Sequence, residues 1–364
     1  MTVSADLTDA TEAGFVPLVV RSVEPLTADS AAITFDVPDE CAETFRFRAG
    51  QHLTLRRVIG GNDVRRTYSV CSSAAGGALR VAVKLMEGGA FSTWATTELH
   101  AGESLEVLPP AGRFGPHLEP GRARTYGLVA AGSGITPVLS IAASILDIEQ
   151  RSDVVLLYGN RTQREVMFLE ELADLKDRFP ERLQILNVLS REEQDSDLLS
   201  GRIDPDRLAR LFASGLLPLT AVDEWYLCGP FGMVTEGRQA LLDHGVPSAQ
   251  VHIELFHADP PPPRVKRDGP SAGTAEITVL LHGRASTIRV DPDGEPVLDA
   301  VLAVRPDAPF ACKGGVCGTC RARVLDGAVE MDVNYALEPD ELASGIVLTC
   351  QAHPTTPTAR LEFL

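Results

Sequence analysis

At 364 residues the chain is too long for one ordinary core, and at roughly 100 to 150 residues per domain it suggests about three. Its 44% hydrophobic and 23% charged content fits a globular protein, and no apolar run approaches the roughly 20 residues of a membrane span. A net charge of −17 argues against nucleic acid as a partner and makes a basic protein the more natural one.

In chain order, residues 1–14 carry acids but no base, which argues against a secretory signal and reads as a flexible cytoplasmic terminus. From residue 15 to 120 the pattern is short and alternating. Strands are expected at Val16–Val23, Ala31–Val37, Gln51–Val58, Arg66–Cys71, Leu79–Met86 and Ser104–Leu108, with one helix at Phe91–Leu99, which suggests an antiparallel six-stranded barrel. From 121 to 258 apolar strands at Tyr126–Ala131, Val154–Tyr158, Leu183–Leu189 and Glu224–Leu227 alternate with helical stretches such as Val138–Glu149 and Phe168–Arg178. That rhythm marks a parallel α/β domain. Pro260–Pro263 open a segment over 259–273 read as a semi-rigid linker, although an ordinary surface loop has the same composition. A fresh hairpin, Ala275–Leu281 with Thr287–Val290, and a helix at Val297–Val304 open a last domain over 274–364.

That last domain carries the most specific motif. Cys312, Cys317, Cys320 and Cys350 follow C-x4-C-x2-C and a distant Cys, the ligand spacing of a plant-type 2Fe-2S cluster. Gly314, Gly315 and Gly318 let the backbone curl and turn N–H groups toward sulfur. A zinc ribbon would need two CxxC knuckles, and the x4 spacing offers none. The remaining Cys41, Cys71 and Cys228 are odd in number and scattered, which argues for a reducing compartment.

Arg66, Thr67, Tyr68 and Ser69 form an R-x-Y-S string on a barrel strand, with Arg66 and Tyr68 on one face and Ser69 on the other. A flavin could stack on Tyr68, bond Ser69 near its N5 and pair a phosphate with Arg66, and an ordinary strand looks the same. Gly88, Gly89, Ala90, Phe91 and Ser92 then lead into a helix whose N-terminus suits a pyrophosphate, or is only capped. Gly132, Ser133, Gly134, Ile135, Thr136 and Pro137 join a strand to a helix as a phosphate-binding turn, with proline in the first helical turn instead of a third glycine. Cys228, Gly229 and Pro230 end another parallel strand, at the sheet edge where such folds bind ligands, although Cys228 taken alone reads equally as a buried core thiol.

With these strings in this order, and Glu254, Leu255 and Phe256 closing the region, residues up to 257 resemble the ferredoxin-NADP reductase superfamily. With the C-terminal plant-type ferredoxin domain, which the resemblance makes an α+β β-grasp fold, the chain resembles single-chain oxygenase reductases. Gly89–Trp94, Tyr226–Val234, Asn334–Asp340 and Thr349–Pro354 carry a closer similarity to the reductases that serve phenylacetyl-CoA epoxidases. The resemblance implies FAD held by Arg66, Thr67, Tyr68, Ser69, Gly88, Gly89, Phe91 and Ser92. It implies a nicotinamide dinucleotide held by Gly132, Gly134, Thr136, Pro137, Gly229 and Pro230, with Phe256 close to the flavin. Tyr68, Ser69 and Cys228 take the catalytic roles, and Cys312, Cys317, Cys320 and Cys350 the metal. Ala90 stands where the family often has arginine. Arg161, Ser190 and Arg191, beside the adenosine ribose, point to NADPH over NADH, a solvated surface pair being the alternative.

The implied activity is a relay in which NADPH gives a hydride to FAD, and single electrons pass through the cluster to an external oxygenase. In the closer similarity that acceptor is a di-iron phenylacetyl-CoA epoxidase in phenylacetate catabolism. An NADH-dependent reductase of a Rieske-type steroid or aromatic-ring oxygenase has the same domain order. A non-catalytic redox subunit of a larger complex would need neither intact Gly132–Pro137 nor intact Cys228–Pro230.

Overall fold

The computed structural model describes residues 14–256 and 274–364; the linker expected at 259–273 and nearly all of the expected N-terminal segment lie outside them. The chain divides into two compact units, one made of Val16–Val64 and Tyr68–Phe256 and one containing the C-terminal residues to Leu364.

The first unit holds two sheets. Strands β1 (Val16–Thr27), β2 (Ser30–Asp36), β3 (His52–Ile59), β4 (Asn62–Ser69), β5 (Arg80–Lys84) and β6 (Ser104–Val107) lie in the order β4-β3-β6-β1-β2-β5. An antiparallel bridge between Val70 and Val81 joins the two ends, so the sheet closes on itself as the alternating sequence demands. Inward residues such as Leu18, Ile33, Leu53, Val81 and Leu105 fill it, and helix α1 (Ala90–Thr97) covers it through Phe91, Trp94 and Ala95.

Strands β7 (Thr125–Ala131), β8 (Asp153–Asn160), β9 (Leu183–Leu189), β10 (Glu224–Gly229) and β11 (Val251–Leu255) form a parallel sheet in the order β11-β10-β7-β8-β9. Strands buried on both faces read as near-continuous apolar runs, and Leu128, Val129, Leu156 and Leu157 are each at most 1% exposed. Between the strands lie α2 (Ile135–Ile148), α3 (Leu169–Arg178), α4 (Pro205–Ser214) and α5 (Phe231–Asp243). Helix α2 is buried almost all round, because it packs on this sheet and also meets the barrel. There Ser140 Oγ donates to the Ser72 carbonyl at 2.7 Å, the Ala74 N–H donates to Ser144 Oγ at 2.8 Å, and Ser73 Oγ donates to Asp147 at 2.7 Å. Arg80 of β5 adds an ion pair to Glu171 of α3 at 2.8 Å.

In the second unit β12 (Ala275–Leu281) and β13 (Arg284–Val290) form a hairpin whose turn residues, His282 and Gly283, both have positive φ, as a tight two-residue turn requires. Helix α6 (Val297–Val304) follows. Strands β14 (Arg321–Asp326), β16 (Ile346–Leu348) and β18 (Thr358–Phe363) complete a mixed sheet in the order β13-β12-β18-β14-β16, with β15 (Val329–Met331) paired to β17 (Ala352–Pro354). Val297 and Val301 of α6 pack into the core this sheet grasps, and helix α7 (Pro339–Ala343) lies at its edge.

A buried carboxylate fixes the chain where it passes from barrel to parallel sheet. Glu149 is fully buried and accepts from the Glu119 N–H at 3.0 Å, Tyr126 Oη at 3.0 Å and Ser152 Oγ at 2.7 Å. Glu149→Ala strands all three donors and should cost about 3 kcal/mol. Both tryptophans, Trp94 and Trp225, lie in this unit, so a lower urea midpoint in tryptophan fluorescence is the measurement that checks it.

Candidate functional site

Strand β4 delivers Tyr68 and Ser69. Tyr68 is half-buried, with its ring 5.6 Å from that of Phe91 in the first turn of α1, and Arg57 sits 4.0 Å over Trp94 one turn on. Arg66 is exposed, and its Nη1 donates to the Arg65 carbonyl at 2.7 Å; Thr67 is half-buried. Gly88 has φ +70 with open space where a side chain would stand, and Gly89 is the N-cap of α1. The first-turn N–H groups of that helix have no intrahelical acceptor and, with Gly88 leaving room, suit a phosphate. Ser92 is otherwise engaged. Its hydroxyl accepts from the Met86 N–H at 3.1 Å and donates to the Gly89 carbonyl at 3.1 Å, so it shapes the loop.

The order of the parallel sheet puts β7 and β10 side by side at the point where the winding reverses, and the turns after these strands meet there. Gly132 has φ +53 and open space about it, and Tyr158 Oη holds its carbonyl at 3.2 Å. Gly134 is forced by close approach, since a Cβ there would stand 2.1 Å from the Cys228 carbonyl oxygen. Thr136 Oγ1 donates to the Ser133 carbonyl at 3.0 Å, and Pro137 lies in the first turn of α2, where its missing N–H costs nothing. Opposite, Gly229 ends β10 and Pro230 is the N-cap of α5.

At this edge the two sheets share a hydrogen bond. Register pairs Cys228 of β10 with Glu254 of β11, and the Glu254 carboxyl accepts from Ser69 Oγ of β4 at 3.2 Å. Glu254 keeps some accessible surface, yet protein atoms crowd its carboxyl. Burial raises its pKa to about 8, against a smaller downward pull from the Ser69 hydroxyl. Cys228 is fully buried, and its thiol is pushed well up by burial and by the neighbouring Glu254. Near neutral pH both groups therefore keep their protons. Glu254 was read from sequence only as part of the closing Glu254–Phe256 string, with no site role of its own. Phe256 is partly buried against the core of the parallel sheet.

Toward the outer strands, the Ser190 N–H donates to the Asn160 carbonyl at 2.9 Å and the Arg191 N–H to the Arg161 carbonyl at 2.8 Å, so the turns after β8 and β9 run together. Arg161 is paired with Glu165, whereas Arg191 is exposed with no carboxylate in ion-pair reach among the described residues.

In the second unit Cys312, Cys317 and Cys320 lie on the loop before β14 and Cys350 on the turn after β16; all seven cysteines are free. Lys313, Gly315 and Gly318 have φ between +52 and +76, which curls the loop. The Gly314 N–H donates to Cys312 Sγ at 3.3 Å and the Thr319 N–H to Cys317 Sγ at 3.5 Å. Interaction with Cys317 lowers the pKa of Cys312 to about 6 while that of Cys317 is raised, and Cys320 likewise lowers the pKa of Cys350. No three Cys, His or acidic side chains among the described residues converge on one point. Four cysteine sulfurs on these two turns suit a plant-type 2Fe-2S cluster, which takes two thiolates per iron. The four cysteine sulfurs, with backbone N–H groups aimed at Cys312 and Cys317, form a donor set that fits an iron–sulfur cluster.

The raised pKa of Glu254 has a pH consequence. Between about pH 4.5 and 8 the native carboxyl holds a proton that the unfolded chain releases, so stability should fall as pH rises through that window. Glu254→Gln should flatten this part of the melting-temperature profile, and an unchanged slope would assign the dependence to other groups.

Three family models match in series: an oxidoreductase FAD-binding domain at residues 17–115, an oxidoreductase NAD-binding domain at 128–239, and a 2Fe-2S iron-sulfur cluster binding domain at 279–355. The chain is 46% identical over 350 residues to a component of the 1,2-phenylacetyl-CoA epoxidase of Escherichia coli (strain K12), covering 96% of this chain and 98% of that protein. It is 37% identical over 357 residues to the ferredoxin reductase component of 3-ketosteroid-9-alpha-monooxygenase of Rhodococcus rhodochrous, covering 96% and 97%. Among solved structures, phthalate dioxygenase reductase aligns over 97% of this chain and 99% of its own with a TM-score of 0.60 at 23% identity, which shows a shared fold. Domain content, fold and full-length identity converge, and the chain belongs to the family of FAD-, nicotinamide- and 2Fe-2S-binding reductase components of oxygenases.

Proposed function

We propose that this reductase takes electrons from NADPH and delivers them to a di-iron phenylacetyl-CoA epoxidase. In such a relay FAD splits the nicotinamide's electron pair and the 2Fe-2S cluster passes single electrons on. The observation that carries the geometric part is the Ser69–Glu254 hydrogen bond, which sets the flavin-side strand against the sheet edge at Cys228. In this reading Tyr68 and Phe256 border the flavin ring, Ser69 and Glu254 supply a proton-bearing edge near its reacting end, and Cys228 packs there as a neutral thiol. Arg66, Thr67, Gly88, Gly89 and Phe91 hold the flavin's ribityl and phosphate side. Gly132, Gly134, Thr136, Pro137, Gly229 and Pro230 form the dinucleotide cradle, and the four cluster ligands are Cys312, Cys317, Cys320 and Cys350.

The free guanidinium of Arg191 beside Ser190 supports NADPH, because a 2′-phosphate rewards a charged hydrogen bond that a 2′-hydroxyl does not. The epoxidase rests on the 46% identity to the Escherichia coli protein, and the free cysteines support a reducing, cytoplasmic setting. No helix among the described residues is long and apolar enough to cross a membrane. A second reading, service to a Rieske-type steroid oxygenase with NADH, rests on the 37% identity to the ketosteroid monooxygenase reductase.

Reconstitution distinguishes the acceptors. With NADPH and purified oxygenase components, product should form with a phenylacetyl-CoA epoxidase and not with a ketosteroid monooxygenase. Cys317→Ser should abolish that product and the cluster's visible absorption while leaving flavin bleaching by NADPH intact. Product with the steroid enzyme alone would overturn the proposed partner.

A further inference from the structure

The string Thr349–Pro354 contains a side chain that the relay does not yet use. Gln351 follows the fourth cysteine, Cys350, and is 6% exposed. Its Nε2 donates to the Lys313 carbonyl at 3.1 Å, to the Cys350 carbonyl at 2.9 Å and, at the longer reach of a sulfur acceptor, to Cys350 Sγ at 3.6 Å. An amide has two hydrogens for these three acceptors, so one is shared. Lys313 lies on the loop that carries Cys312, Cys317 and Cys320, so this one side chain ties that loop to the turn carrying Cys350. The backbone of Gln351 is fixed too. Its N–H donates to the Leu348 carbonyl at 2.9 Å, and its carbonyl accepts from the Asp332 N–H at 2.9 Å. A Cβ at residue 315 would stand 3.2 Å from both Gln351 Cγ and Val333 Cγ2, so Gly315 closes over the side chain. Burying an amide is costly unless its hydrogens are engaged. The loop carbonyl accounts for one, and the other is directed at Cys350.

We propose that Gln351 is a positioning residue that sets the redox balance of the 2Fe-2S cluster, its amide N–H on Cys350 Sγ favouring the reduced state. The inference rests on Cys350 being a cluster ligand and goes beyond it. When the cluster takes one electron from the flavin, part of the added negative charge falls on the ligand sulfurs. A donor on one of them therefore stabilises the reduced form more than the oxidised form and raises the reduction potential. No proton moves in this step, since the amide keeps both hydrogens. The driving force for transfer from flavin to cluster then depends on this glutamine as well as on the cysteines.

The test is a dye-mediated potentiometric titration of the full-length protein, followed by the EPR signal of the reduced cluster, which reads the midpoint potential without turnover. Gln351→Met keeps the volume and removes the donor. It should lower the equilibrium constant for reduction about tenfold, which is ~59 mV for a one-electron couple. Gln351→Leu should shift the potential in the same direction. Val333→Ala loosens the packing against Gly315 without removing a donor, and should leave the potential where it is. Iron and acid-labile sulfide per chain check that each variant assembles its cluster. An unchanged potential in both Gln351 variants, or an equal drop in Val333→Ala, would overturn the proposed role. Loss of the cluster in both Gln351 variants would overturn it as well, leaving the side chain a structural clamp. If Cys350→Ser keeps the wild-type EPR spectrum and potential, the ligand assignment itself fails and this inference falls with it.

Discussion

One hydrogen bond between sheets organises the larger unit: Ser69 Oγ, at the end of a barrel strand, donates to Glu254, at the end of the parallel sheet's edge strand. It aligns only because the rest of the interface is fixed. Serine hydroxyls of α2 clasp backbone groups of the segment after Ser69, Arg80 reaches Glu171, and the buried Glu149 pins the crossing chain. A loose interface would leave a polar carboxyl in an apolar setting with no compensating partner. Here burial is met by keeping the proton on Glu254, and the adjacent Cys228 thiol stays neutral for the same reason. The site therefore gathers polar groups at the junction without burying a net charge.

Close approach of backbone is the second constraint. The turn after β7 presses on the end of β10 so tightly that residue 134 has no room for a Cβ, while the neighbouring Gly132 and the distant Gly88 are glycines for the opposite reason, positive φ with open space above. A packing glycine and a positive-φ glycine thus lie two residues apart in one motif. The cluster loop uses the same device, curling through Lys313, Gly315 and Gly318 so that N–H groups face Cys312 and Cys317.

Much of this was legible in the chain. Alternating strands and apolar runs gave both sheets of the larger unit, with ends displaced by a few residues where local geometry decides, as at α2, which begins at Ile135 and not Val138 because the glycine turn feeds straight into the helix. The parts not read, β11, α4, α5 and the strands after Cys320, are short or weakly periodic and are held by their neighbours more than by their own pattern. The cysteine spacing announced the cluster, but the meeting of Cys350 with Cys320 depends on the pairing of β16 with β14, which sets Thr349 against the Cys320 carbonyl. Glu254 was hidden for a similar reason, since its partner Ser69 lies 185 residues away and no local signal marks a carboxyl whose proton is kept by burial. Arg161, expected beside the adenosine ribose, is ion-paired with Glu165 four residues on, a contact the motif reading did not include.

The central claim is that Ser69 and Glu254 act as one unit where the two sheets meet. Stopped-flow reduction of the flavin by NADPH in Ser69→Ala, Glu254→Gln and the double variant measures their coupling directly. The account requires the double variant to be little slower than the slower single one. Fully additive losses in the two singles would mean that the residues act independently, and that the hydrogen bond between them has no part in the reaction.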